Sequence, residues 1–228
     1  MKALVTGSAS GIGAAIVERL RAEAYEVHEL DLVDGFDVSD PHAWESVPDV
    51  DLACLNAGVL TGERDVAALT DEQYRRILSV NVDGVVFGVR ALARRMPRGG
   101  AIVATSSLAG LTDMPADPVY ALTKAAVVGF VRSVAPQLAE RAIRINCVCP
   151  GIADTPMLDA GGLRTATAAA GFPLLSAADV AEAVWRAAGS EGTGEAWVVQ
   201  PGREPEPYRF RGVPGPRVAG AEGARPPL

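Results

Sequence analysis

The feature that most constrains this chain is a glycine-punctuated turn at its start. Lys2 to Thr6 reads as a short strand, and Gly7, Gly11 and Gly13 follow, opening a helix from Ile12 through about Ala24. Thr6-Gly7-x-x-x-Gly11-x-Gly13 removes side chains where a backbone must come close to a pyrophosphate. The helix N-terminus adds free N–H groups and a positive dipole end. With 24 glycines in the chain the spacing also fits an ordinary tight turn, so its place between a strand and a helix carries the nucleotide reading. Glu26 to Leu30 is a second strand, ending at Asp31, which lies 18 residues after Gly13, where a ribose-binding carboxylate is expected. The lesser alternative for Asp31 is a solvated acid of the loop Asp31-Leu-Val-Asp34.

The 228 residues fit one large α/β domain over residues 1–200, with 49% hydrophobic composition to fill its core. Further strands are expected at Val50 to Leu55, Ala101 to Thr105, Ile143 to Val148 and Glu195 to Val199. A helix with a Thr70-to-Gln73 capping box runs to about Leu92, and another begins at Ser176. Between Asp31 and Asp37 there is no room for a parallel crossover, so a helix is missing and only a stub of a third strand is expected. The region from Pro150 to about Leu175 reads as a lid. Residues 201–228 hold seven of the 16 prolines and five glycines, which predicts an extended arm rather than a packed element.

Composition excludes several partners. Twenty-one basic residues against 28 acidic ones, a net charge of −7, leave no basic stripe for nucleic acid. The longest apolar run, Ala125 to Val131, is far short of the roughly 20 residues of a membrane span, so a soluble, cytoplasmic protein is expected. Cys54, Cys147 and Cys149 sit among Val, Leu and Ile outside any Cys-x-x-Cys pattern, which predicts buried reduced thiols. With His28 and His42 as the only histidines, no metal site is expected.

The chemistry concentrates between Ser107 and Lys124. Tyr120 and Lys124 are four apart on one helix face, close enough to interact. A free tyrosine has a pKa of about 10, and a cation beside it favours the phenolate, bringing the phenol toward use as an acid or base. Ser106 and Ser107 stand at the C-terminal end of a strand, the rim where open parallel sheets bind ligands. Asn81 inside a long helix implies a kink, a polar task or an exposed position.

Together, Thr6-Gly-x-x-x-Gly-x-Gly13, Asn56-Ala-Gly58, Asn81, Ser107, Tyr120-x-x-x-Lys124 and Pro150-Gly151 resemble the short-chain dehydrogenase/reductase family, in the family's order, over about residues 1–200. The resemblance implies a Rossmann-type, doubly wound parallel sheet flanked by helices. It also implies reversible hydride transfer between a nicotinamide and an alcohol or carbonyl carbon. Asn81, Ser107, Tyr120 and Lys124 would be the catalytic set: Tyr120 moves the proton, Ser107 bonds the same oxygen, Lys124 also holds the nicotinamide ribose, and Asn81 positions a water. The cofactor set implied is Gly7, Ser10, Gly11, Ile12, Gly13, Asp31, Asp37, Val38, Asn56, Ala57, Gly58, Tyr120, Lys124, Pro150, Gly151, Ile152 and Thr155. Asn56 could equally be structural.

NAD is the expected cofactor. Asp31 would accept from ribose hydroxyls and repel a 2′-phosphate, and Ser10 stands where family members using NADP often carry Arg or Lys. The apolar Met114, Met157, Leu158, Leu163 and Phe172 suggest a hydrophobic secondary alcohol or ketone as substrate. A homo-oligomer, tetramer or dimer, is implied through the helices of residues 70 to 95 and of Tyr120, with the arm clasping a neighbour through Tyr208 and Phe210. The alternative is a nucleotide-binding regulator of the same fold. An epimerase would need a longer chain, and the enoyl reductases space their Tyr and Lys more widely.

Overall fold

The computed structural model describes residues 1–212 and 214–224. Its centre is a seven-stranded sheet in the order β2-β1-β3-β4-β5-β6-β7. The strands are β1 (Lys2–Thr6), β2 (Glu26–Leu30), β3 (Leu52–Leu55), β4 (Ala101–Thr105), β5 (Arg144–Pro150), β6 (Ala196–Val199) and β7 (Glu206–Pro207). The first six pair in parallel at every junction. Their unbroken apolar character follows from burial on both faces: β3 and β4 are buried at every residue. All three thiols are free and buried.

One face is covered by α1 (Gly11–Ala22) and α6 (Ala177–Gly189), which pack Ile16, Val17 and Leu20 against Val180 and Val184. The other carries α3 (Gly84–Arg95) and α4 (Pro118–Ala139), whose Val85, Val89, Val127 and Val131 join the second core. This is the doubly wound arrangement, and its strand order reverses around β1, between β2 and β3, where such sheets open a crevice. Helix α4 runs on past Pro136 to Ala139, so the proline does not end it. By length and composition α4 alone among the described helices could cross a membrane; here Val127, Val128, Val131, Ala135 and Leu138 bury one side of it in the core.

The single helix expected from Thr70 to Leu92 is broken in the middle. Helix α2 (Asp71–Leu78) starts with the anticipated Thr70–Gln73 capping box, then a π-helical turn, Ser79–Asp83, leads into α3. Asn81 lies in that turn and is fully buried. A π-turn adds a residue to the helical register and turns a side chain that would otherwise follow the stripe.

No strand forms between Asp31 and Asp51; two 3₁₀ turns, Leu32–Asp34 and Ala43–Ser46, replace even the expected stub. Trp44 closes this edge instead. Its indole Nε1 donates to the Val38 carbonyl at 2.9 Å, and its ring meets Phe36 edge-on at 5.2 Å between centroids. Helix α3 accommodates the indole with a glycine, since a Cβ on Gly88 would lie 2.8 Å from Trp44 Cη2. Strand β2 is left at the sheet edge with the charged Glu26 and Glu29 upon it, side chains that discourage pairing with another chain.

The C-terminal segment also departs from expectation. Instead of leaving the molecule unpacked at Pro201, the chain turns back as β7 and pairs antiparallel with β6, and the Tyr208 N–H donates to the Ala196 carbonyl at 2.7 Å. Tyr208 and Phe210 stack edge-to-face, and the Arg132 guanidinium of α4 lies 3.7 Å from the Phe210 centroid. Both rings are packed on one side against their own chain and remain partly exposed on the other. Residues 225–228 of the expected arm lie outside the described residues.

Candidate active site

A cavity of about 770 Å³ opens along the C-terminal ends of the strands. Of the catalytic and cofactor residues implied by the sequence, all but Gly13 and Asn81 line it. Gly13 is structural: a Cβ there would fall 1.8 Å from the Gly7 carbonyl oxygen, so its absence lets α1 start hard against the turn. Gly7 and Gly11 have φ of 66° and 53°, the left-handed region that glycine enters without strain. The first amides of α1 have no intrahelical partner and the Ser10 hydroxyl makes no cap bond, so this end presents donors suited to an anion.

Asp31 directly follows β2 and faces the cavity, its carboxylate held by the Ala9 N–H at 2.9 Å and the Val33 N–H at 3.2 Å. It thus fixes the glycine turn while keeping lone pairs for another donor. Asp37 is held likewise by the amide and hydroxyl of Ser39 at 2.8 and 2.7 Å. Asn56 ties three strand ends together: its Nδ2 donates to the carbonyls of Thr6 and Gly7, and its Oδ1 accepts from the Thr105 hydroxyl. Its side chain is therefore committed to structure, though the residue still lines the cavity. Thr155 crosses above the turn, within 3.2 Å of where a Gly11 Cβ would be.

The lid region is built rather than loose. The 3₁₀ segment Pro156–Gly162 and α5 (Leu163–Ala169) are stapled by a bridge between Ala153 and Leu175. Arg164 braces them further, pairing with Asp154 at 2.6 Å and with Asp159, and donating to the Thr155 carbonyl. Met157, Leu158, Leu163 and Phe172 line the cavity from this side.

At the centre, Lys124 is 3% exposed. Its ammonium donates to the Thr105 carbonyl at 2.9 Å and lies 5.4 Å from the Tyr120 ring centroid. Gly58 leaves room for it, since a Cβ there would sit 3.2 Å from Nζ. Burial pulls the ammonium down to about 8 despite the nearby Cys149 and Cys147. Burial likewise pushes the Tyr120 phenol up to about 12, with the Ser107 hydroxyl pulling the other way. The lowering expected from a neighbouring cation is thus not what sets this phenol: desolvation raises it, and the opposing pull comes from the Ser107 hydroxyl.

Asn81 acts on this centre from behind. Its Oδ1 accepts from the Val59 N–H at 2.8 Å, and its Nδ2 donates to the Val59 carbonyl at 2.9 Å and to Thr123 Oγ1 at 3.1 Å. It clamps the loop after β3 onto α4. Asp117, which the sequence reading passed over, does similar work: it caps α4 through the Tyr120 N–H at 2.9 Å and accepts from the amides of Thr61 and Gly62. The Asp-Pro start of α4 was a legible cap-and-N1 signal for it. Leu60, Arg76 and Gln200 also line the cavity, and no motif marked them.

The Lys124 site makes a testable statement about stability. With a folded value near 8 against 10.5, the folded chain binds fewer protons than the unfolded chain between those limits. Burying the charge therefore costs stability below about pH 8, and the cost fades as pH rises toward 10.5. Lys124→Met should consequently lose ground to wild type by up to about 3 kcal/mol between pH 7.5 and pH 10 in denaturant titrations. A difference independent of pH would mean that the amine is solvated in the folded chain.

The family model that matches, over residues 35–188, is described as enoyl-(acyl carrier protein) reductase. A curated relative, the 3-alpha-(or 20-beta)-hydroxysteroid dehydrogenase of Mycobacterium tuberculosis, is 34% identical over 185 residues, which are 69% of this chain and 70% of that protein. Among solved structures, a short-chain dehydrogenase from Burkholderia cenocepacia in complex with NADP is 30% identical with a TM-score of 0.76, covering 86% of this chain and 95% of that one. A 3-ketoacyl-(acyl-carrier-protein) reductase from Brucella melitensis complexed with NADH is 25% identical with a TM-score of 0.77, covering 89% and 97%. The chain belongs to the short-chain dehydrogenase/reductase family and is an oxidoreductase of the hydride-transferring kind, acting at CH–OH carbons.

Proposed function

We propose that this protein is an NAD-dependent dehydrogenase of hydrophobic secondary alcohols and ketones, with Tyr120 as its general acid and base. The observation that carries the reading is the convergence of Ser107, Tyr120 and Lys124 on the cavity that also receives the glycine turn and Asp31. The residues present fit a dinucleotide. The amides before α1 suit its pyrophosphate, Asp31 its adenosine ribose, Asp37 and Val38 the adenine, and Lys124 with Tyr120 the second ribose. Asn56, Ala57 and Gly58 line the middle, and Pro150, Gly151, Ile152 and Thr155 the nicotinamide end. The bound nicotinamide supplies the hydride acceptor or donor.

The rest is done by the chain. The Ser107 hydroxyl bonds the substrate oxygen and fixes it beside the Tyr120 phenol. In reduction the phenol gives its proton to the carbonyl oxygen, and a phenol held near 12 is fully protonated at neutral pH. In oxidation the same oxygen must take the hydroxyl proton, so oxidation gains as pH rises. Lys124 keeps a cation beside the ring, and Asn81 and Asp117 both hold the loop after β3 against it. The apolar wall of Met114, Leu158 and Leu163 suits an apolar substrate. Buried free thiols fit a reducing, cytoplasmic setting, and the exposed Leu122 on α4, half accessible, fits pairing of that helix with a copy of itself in a homodimer or tetramer.

Tyr120→Phe should lower turnover at least about a thousandfold, because general acid–base help is worth roughly two to four powers of ten and the Ser107 hydroxyl does not replace the phenol as proton carrier. Equilibrium binding of NAD should persist. Wild-type-like turnover of secondary alcohols by this variant would reject the mechanism.

Cofactor choice follows from charge. The Asp31 carboxylate is pinned by two amides and cannot swing from a 2′-phosphate, so NAD should exceed NADP by at least about a hundredfold in kcat/KM. Asp31→Ala with Ser10→Arg should narrow that ratio. Equal use of both cofactors by wild type would contradict the assignment and turn attention to Arg76, the guanidinium on the cavity wall.

A further inference from the structure

Strand β6 ends beside β5, with Val199 opposite Pro150 and the Gly151 N–H donating to the Val199 carbonyl at 2.9 Å. The next residue, Gln200, is half-buried, and its side chain lines the cavity. Its position is fixed by Gly151: a Cβ there would lie 2.9 Å from Gln200 Oε1 and 3.5 Å from Leu108 Cδ1. The carboxamide and the Leu108 side chain thus sit side by side across a glycine, and Leu108 directly follows Ser107. This brings a polar head to the substrate end of the cavity, where the neighbouring Leu108, Met157, Leu158 and Phe172 are apolar.

Two carboxamides line the cavity, and they differ in what they do. Asn56 spends its side chain on Thr6, Gly7 and Thr105. The Gln200 side chain makes no hydrogen bond among the described residues, while its carbonyl accepts from the Arg203 N–H at 3.2 Å to form a turn. That turn is braced by the return of the chain as β7 and by the Arg203–Glu206 pair at 3.2 Å. The backbone is held and the head group is free. A carboxamide offers both a donor and an acceptor, so it can bond a hydroxyl or a carbonyl equally.

We propose that Gln200 is a specificity-determining residue that bonds a second oxygen-bearing group of the substrate, selecting alcohols and ketones that carry a further hydroxyl or carbonyl near the reacting carbon. This rests on the reading of Tyr120 and Ser107 as the groups that hold the first oxygen. It gives the C-terminal return a role in the site: β7 keeps Gln200 from being the start of a loose tail. A substrate without the second oxygen covers the carboxamide without pairing it, which a polar site penalises.

The test compares acetoin with sec-butanol, and ethyl β-hydroxybutyrate with sec-hexanol, following nicotinamide reduction in wild type, Gln200→Leu and Gln200→Glu. The ratio of kcat/KM for the bifunctional over the monofunctional member should fall about tenfold in Gln200→Leu, chiefly through KM. Gln200→Glu, which keeps size and an acceptor but loses the amide donor, should fall between. NAD dissociation constants, read by calorimetry, should match wild type. An unchanged ratio in Gln200→Leu would overturn the proposal, and so would a loss that appears as weaker NAD binding, since the carboxamide would then serve the cofactor. If wild type oxidises neither class, the dehydrogenase reading itself fails and the inference with it; if it oxidises both without preference, only the inference fails.

Discussion

The arrangement depends on one buried ammonium. Lys124 is almost wholly out of water, has no carboxylate partner among the described residues, and is held by a backbone carbonyl at the end of β4. Such a charge is costly unless its surroundings are fixed in advance. Those surroundings account for much of the local sequence. Gly58 makes room at Nζ, the Ser106 hydroxyl donates to the Lys124 carbonyl at 2.8 Å, and Thr123, next in the chain, links Asn81 to the Tyr120 carbonyl. Residues from the ends of β3 and β4, from the π-turn and from α4 are thus tied together around this side chain.

A second constraint is the shortened edge. Where a further strand and helix would wall the cavity beyond Asp31, this chain has two 3₁₀ turns and a buried indole. Trp44 is able to fill the gap because α3 offers Gly88 and because the indole N–H finds the Val38 carbonyl, so a large ring is buried without an orphaned donor. The same carbonyl bond sets the backbone beside the Asp37 and Val38 lining of the cavity. The edge is thus shorter but still firm, and Asp31 keeps its place through the amides of Ala9 and Val33.

Most of the sheet was legible because parallel strands buried on both faces leave continuous apolar runs, and because the Gly, Asn-Ala-Gly and Tyr-x-x-x-Lys patterns carry strong local requirements. The capping box at Thr70 and the helix start at Ser176 are legible for the same reason: their signals are local. What escaped was set by distant partners. A π-turn at Asn81 depends on Val59 and Thr123, and the pairing of Glu206 with Val198 depends on a strand edge that proline-rich composition does not reveal. Asp117 and Gln200 belong to no long pattern, and their contacts join segments far apart in the chain. The sign of the phenol's shift also needed the structure, since spacing shows that a cation is near but not that burial outweighs it.

The central claim is that burial holds the Tyr120 phenol protonated and that what fills the cavity decides when it ionises. An ultraviolet difference titration of wild type against Tyr120→Phe, read immediately after pH jumps so that folded chain is observed, measures this directly. Without cofactor the phenol should ionise near 12. Saturating oxidised NAD, which brings a cation into the low-dielectric cavity, should move that midpoint down by at least about one pH unit. A midpoint close to the ordinary tyrosine value of about 10 in both conditions would show a solvated phenol and contradict the account.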